Sequence, residues 1–347
     1  MSKIVVRVVT LVMLLSMLAA CAAPTAAPTT APAAPTAAVA NPAPASKEVK
    51  VGLITKTETN PFFVKMREGA NEEAKAKGAT LMTAAGTKDG DNESQVTAIE
   101  NMVNAGVMGI MITANDSKAI IPAIKKARDA GVMVIALDSP LDPQDATDAL
   151  FATDNFKAGQ LIGKYAATAM AGKTAKIATL DAAPGNPVSM LRHNGFLDGF
   201  GIKEGDPSVV CSGDSNGDQA TGQTVMENCL SANPDINVVY TINEPAAFGA
   251  YTALKAAGKE KDVLIVSIDG GCQGVQGVVD GKISATSQQY PLLMAKMGVD
   301  ATVEYVLTGK KASGYTDTGV SLITDKPQTG VESKDSKFGL DMCWGNK

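Results

Sequence analysis

From Val49 onward the chain repeats one unit many times: a short run rich in β-branched residues, a turn, an amphipathic helical stretch, a glycine, and another run. Runs separated by helix-length segments do not form hairpins, so the repeat demands parallel strands with helices covering the sheet. Residues 49–54 read as a first strand and 61–77 as its helix, with Pro61 at the tolerated first turn and Gly78 as the stop. Strand 108–113, helix 116–130, Gly131 and strand 132–137 repeat the pattern. A second series starts near Thr153 with helix 156–170, strand 176–180, helix 188–200, strand 209–212 and helix 219–232. It continues with strand 238–241, helix 246–257, strand 263–268 and helix 274–280. About 300 residues exceed the usual size of one domain and suggest two lobes of about 150 each. The expected fold class is α/β, with two doubly wound parallel-sheet lobes.

The front end is of another kind. Lys3 and Arg7 supply a positive start and 4–18 is an apolar core too short to span a membrane, so 1–20 reads as a signal peptide. Ala19-Ala20-Cys21 resembles the bacterial lipobox, which implies a diacylglycerol on the thiol of Cys21; an ordinary signal peptide with a chance cysteine is the alternative. Prolines at 24, 28, 32, 35, 42 and 44 make 22–46 an extended tether. At about 3.1 Å per residue it could hold a domain up to roughly 75 Å from a membrane. Since no second long apolar run follows, the mature chain is expected to be anchored rather than membrane-spanning. A net charge of −5, with no basic run beyond pairs such as Lys125-Lys126, argues against nucleic acid. Cys211, Cys229, Cys272 and Cys343 remain, an even number that permits three pairings in an oxidising compartment. Pairing of Cys211 with Cys229 and of Cys272 with Cys343 is expected, with free core thiols as the alternative.

In open parallel sheets ligands collect beyond the carboxyl ends of the strands. Asp138, Asp181, Asn243 and Asp269 each follow an apolar run directly. Each alone could be a helix cap, but four together suggest a polar cleft. Phe62 and Phe63 open the first helix beside it; a hydrophobic staple is the simpler reading of that pair. Apolar rings next to carboxylates and amides suit a sugar, which has apolar C–H faces and hydroxyl edges.

These residues resemble the periplasmic sugar-binding proteins of ABC transporters related to the ribose-binding protein, over about 49–322. The motifs are Asn60-Pro61-Phe62-Phe63, Arg192-His193-Asn194-Gly195-Phe196, and Asn243-Glu244 followed by Ile268-Asp269-Gly270. The resemblance implies a type I periplasmic binding protein with a three-segment hinge, crossed near 153–154, 289–290 and 314–319. The first lobe is then 47–153 plus 290–317 and the second 154–289 plus 318–347. It also implies that Lys56, Asn60, Phe62, Phe63 and Asp138 form one wall of a sugar site, and that Arg192, Asn243, Asp269 and Gln289 form the other wall and the hinge. Ser139 stands where ribose binders carry arginine, and Lys56 matches hexose-binding relatives, so a hexose is expected. The segments 240–247, 269–272 and 289–293 look most like the fructose-binding branch. The implied partners are a monosaccharide, an ABC permease with its ATPase, and the membrane through the lipid anchor alone, with the chain a monomer. A receptor for a sensor kinase or chemotaxis system would use the same cleft. A sugar-responsive repressor would need a helix-turn-helix where the signal and tether stand.

No enzyme, cofactor or metal is expected. Ser189 and His193 share a helix face, but no nucleophile elbow or further base accompanies them, and His193 is expected to pack beside Arg192 at the cleft. Asp214, Asn216 and Asp218 begin like a calcium loop, yet Gln219 and Val225 stand where it needs glycine and glutamate. Gly172-Lys173-Thr174 lacks the upstream glycine of a phosphate loop, since position 167 is alanine.

Overall fold

The structure is a computed structural model, and it describes residues 48–345. The expected signal peptide (1–20), Cys21 and the expected tether (22–46) lie outside the described residues. The first lobe begins β1 (Lys50–Thr55), α1 (Pro61–Ala76), β2 (Thr80–Ala85), α2 (Asn92–Asn104) and β3 (Gly109–Ile112). It continues with α3 (Ile121–Asp129), β4 (Met133–Leu137) and β5 (Ala149–Ala152). The second lobe runs α4 (Asn155–Ala169), β6 (Ile177–Asp181), α5 (Pro187–Phe200), β7 (Val209–Asp214), α6 (Gln219–Ala232) and β8 (Val238–Thr241). Then come α7 (Glu244–Ala256), β9 (Leu264–Asp269), α8 (Cys272–Val279) and β10 (Ala285–Gln288). Helix α9 (Pro291–Thr308) and β11 (Gly314–Asp317) return to the first lobe, while β12 (Ser321–Ile323) and α10 (Ser336–Met342) belong to the second.

Each lobe holds a six-stranded sheet, ordered β11-β5-β4-β3-β1-β2 and β12-β10-β9-β8-β6-β7. All pairings are parallel except β10 with β12. The central strands are buried on both faces, which explains their continuous apolar runs. In the first lobe α1 and α9 pack on one face around Met66, Met111 and Met294, and α2 and α3 on the other around Ile99, Ile112 and Ile124. Among the described residues the chain crosses between lobes three times, after β5, after β10 and after β11. The doubly wound architecture and three-segment hinge read from the sequence are therefore present.

Several elements were not legible. Strand β2 is an edge strand with no fully buried residue, so Thr80–Ala85 carries no apolar run to announce it. Helix α3 starts at Ile121 rather than 116, because Asp116 Oδ1 accepts the N–H groups of Lys118 and Ala119 and holds a turn there. Cys211 is bonded to Cys229, linking β7 to α6, and Cys272 to Cys343, fastening the segment after α10 to α8.

Helices α4 and α5 touch backbone to backbone. Gly159 and Gly163 on one meet Gly195 and Gly199 on the other, and a side chain at Gly159 or Gly195 would overlap the carbonyl of Arg192 or Phe156. This contact seats Arg192 between the lobes.

Candidate ligand-binding cleft

The site is assembled from strand ends and helix starts. Asn60 caps α1, its Oδ1 accepting the N–H of Phe62 at 3.0 Å, and Pro61 fills the first turn. The next two residues, Phe62 and Phe63, are buried, with their rings edge to face at 5.4 Å. Asp138 follows β4 and Asp269 ends β9, at φ of 60° and 148°, conformations that L side chains rarely adopt. Backbone strain of this kind concentrates at functional sites, so both carboxylates are held in place by the surrounding fold.

Arg192, on the second turn of α5 and 4% exposed, is the centre of the network. Its Nε donates to Asn155 Oδ1 at 2.9 Å, its Nη1 donates to the Ile242 carbonyl at 2.8 Å, and Nη1 lies 3.6 Å from Asp269 Oδ1. Asn155 in turn donates to the Asp138 backbone carbonyl at 3.1 Å, so Arg192 is tied to the first-lobe backbone at Asp138 through the first crossing. Gln289 Nε2 donates to Asp269 Oδ1 at 2.8 Å. Asn243 caps α7 and donates to the Gly217 carbonyl at 3.0 Å. Lys56 Nζ donates to Asn186 Oδ1 at 3.2 Å and Asn186 Nδ2 to Asp89 Oδ1 at 3.3 Å, so the two lobes touch across the cleft.

Lys56, Asn60, Phe62, Phe63, Asp138, Arg192, Asn243, Asp269 and Gln289 all line one cavity between the lobes. Two buried acceptors in this set, Asp138 Oδ1 and Gln289 Oε1, have no hydrogen-bond partner in the protein. A buried acceptor left so costs about 1–3 kcal/mol, and a ligand hydroxyl recovers it. Ser139, buried beside Asp138, donates its hydroxyl to Asp138 Oδ2 at 3.1 Å.

Burial sets the electrostatics. It pulls the Lys56 ammonium below its ordinary pKa, against the opposing pull of Asp89 and Asp138. It also pushes Asp269 up to about 6, although Arg192 and the Gln289 bond favour the carboxylate. Glu244, beneath Asp269, lies well above the usual carboxylate range, first through burial and then through Asp269. Its oxygens accept from the N–H groups of Gly270 and Gly271 and from the Thr286 hydroxyl, which fixes the turn that aims Asp269.

Two expectations are corrected. Asp181 is the last residue of β6 and does not line the cavity; it is engaged by His193 Nδ1 at 3.0 Å and by the Ser189 hydroxyl. His193 accordingly sits away from the cleft, between Asp181 and Glu204. Burial lowers its pKa, but the two carboxylates together outweigh that and raise it. Three polar side chains that line or support the cavity are missing from the sequence-based expectation: Asp89, Asn186 and Asn155. Asn186-Pro187 repeats in the second lobe the cap-and-proline pattern of Asn60-Pro61, a signal present in the sequence. Among the described residues no cluster of His, Cys, Asp or Glu could hold a metal ion, and no helix is long and apolar enough to cross a membrane.

Comparison with known proteins agrees with this fold. Residues 51–311 match the periplasmic binding protein domain model. The chain is 33% identical to the ribose import binding protein of Bacillus subtilis over 280 residues, 81% of this chain and 88% of that one. Similarity to the ribose import binding protein of Escherichia coli is 32% over 275 residues, 79% and 90% of the two chains. Among solved structures, a periplasmic solute-binding protein of an ABC transporter from Actinobacillus succinogenes, with bound D-allose, is 31% identical with a TM-score of 0.72. That likeness covers 80% of this chain and 98% of the other. Two α/β lobes joined by three crossings, with a polar cleft between them, thus place this chain in the periplasmic binding protein family.

Proposed function

We propose that the protein is the substrate-binding lipoprotein of an ABC sugar importer and takes one monosaccharide by hinge closure. A hexose is favoured, fructose foremost. The observation that carries the reading is the pair of unpartnered buried acceptors, Asp138 Oδ1 from the first lobe and Gln289 Oε1 at the second crossing, in one cavity with Phe62 and Phe63. A sugar supplies hydroxyls to the acceptors and C–H faces to the rings, and only the closed form brings both walls to it. Relatives named for ribose import and a neighbour holding D-allose support a monosaccharide. Ser139 in place of arginine, with the Lys56 ammonium in the wall, favours a hexose. Cys21 and the tether would keep the trap near its permease and ATPase, which read the closed shape.

A thermal-shift panel of fructose, ribose, allose, glucose, mannose and inositol tests this. One sugar at 100 times its Kd should stabilise the fold by about 2.7 kcal/mol and raise the melting temperature by several degrees. No shift with any of them overturns the reading.

Affinity should also depend on pH. Ionised Asp269 accepts sugar hydroxyls, and with a pKa of about 6 it is mostly protonated at pH 5. Binding at pH 5 should be about tenfold weaker than at pH 7. Stability of the free protein moves the other way. Because the folded pKa lies above the unfolded value of about 3.9, this group's contribution is fully present below about pH 4 and is lost as pH rises through 6. Calorimetric titration and melting curves at both pH values separate the two trends; equal affinity at pH 5 and 7 would show that ionised Asp269 does not hold the sugar.

A further inference from the structure

We infer that Trp344, strapped to the second lobe by the Cys272–Cys343 disulfide, is a positioning residue that braces the sugar site on closure. The inference rests on the sugar-binding reading above. Cys343 follows α10, and its bond to Cys272 fixes the segment at the first residue of α8. The Trp344 carbonyl accepts the Cys272 N–H at 2.9 Å, and the ring lies against Gly271, where an added Cβ would already be in close contact with it. Backbone and disulfide therefore make Trp344 part of the second lobe.

Its side chain serves two residues of the cleft. The ring meets Phe62 of the first lobe at 5.5 Å, edge to face, and Nε1 donates to the Gln289 carbonyl at 2.8 Å. Trp344 does not itself line the sugar cavity. It fills the space behind Phe62 and pins the residue whose Oε1 is one of the unpartnered acceptors. The indole also borders a neighbouring cavity shared between the lobes, with Pro61 and Val64 on one side and Pro245 and Phe248 on the other. Opening the cleft would part the ring from Phe62 and let water reach it through that cavity. The contact joins the second lobe to Phe62 of the first, so it favours closure, and apparent affinity scales with the fraction of protein able to close. Trp344 and its disulfide therefore set sugar affinity without touching the sugar.

Trp344 is the only tryptophan in the chain, so its fluorescence reports the contact directly. In the full chain, titration with the sugar that calorimetry identifies should shift the emission to the blue, with a midpoint equal to the calorimetric Kd. Trp344→Ala and the double variant Cys272→Ser/Cys343→Ser should each bind about tenfold more weakly, chiefly through faster dissociation. Trp344→Phe, which keeps a ring against Phe62, should recover most of the affinity. A merely structural tryptophan would lower the melting temperature of the free protein without changing Kd or the emission on binding. Wild-type emission unmoved at saturating sugar overturns the inference, as does wild-type affinity in a folded Trp344→Ala variant. Absence of heat with every sugar of the panel overturns the sugar reading and this inference with it.

Discussion

Asp269→Ala should weaken sugar binding by about thirtyfold or more, because truncating one member of a buried, hydrogen-bonded charge pair costs about 2–5 kcal/mol. The loss has two sources. A sugar hydroxyl loses its acceptor, and Arg192, 4% exposed, loses the carboxylate 3.6 Å away. Asp269→Asn, which keeps one oxygen for Gln289 or the sugar, should fall between wild type and Asp269→Ala. Isothermal titration measures both, with circular dichroism showing that the lobes remain folded. Wild-type affinity in Asp269→Ala would remove the carboxylate from the site.

The second large effect is expected far from any hydroxyl. Gly195→Val places a branched side chain against the Phe156 carbonyl, where α4 and α5 touch through their backbones. Overpacking usually costs about 1–3 kcal/mol, and here the obstacle is backbone that no rotamer change can move aside. The expected loss is about 3 kcal/mol or more, a fall of roughly 6 °C or more in melting temperature, read by calorimetry. Sugar affinity should fall with it, since parting the helices moves Arg192 from Asn155 and Ile242. A melting temperature within a degree of wild type would contradict the tight contact.

The sequence made the lobes legible because a parallel sheet buries its central strands on both faces and so writes them as unbroken apolar runs. β4, Met133–Leu137, is such a run and β2 is not, which is why one was read and the other missed. The same rule brought Asp138, Asn243 and Asp269 to attention, and the structure gathers them in one cavity. It failed for Asp181, since a position at a strand's carboxyl end does not say which neighbour will claim the side chain; His193 and Ser189 claim it. Gly159, Gly163, Gly195 and Gly199 stand four residues apart in pairs, visible in the sequence but uninformative until α4 and α5 are known to face each other. Trp344 was silent for the same reason: its neighbours Phe62, Cys272 and Gln289 are distant in sequence and meet only through the disulfide and the second crossing.

On the proposed function, one monosaccharide binds between the lobes and is held by both. A crystal structure of the intact chain with the sugar identified by the thermal-shift panel tests it most directly. The expected result is one sugar in the cavity, a hydroxyl within hydrogen-bond distance of Asp138 Oδ1, another of Gln289 Oε1, and a C–H face against Phe62 or Phe63. A sugar held by one lobe alone, or seated outside this cavity, would contradict it.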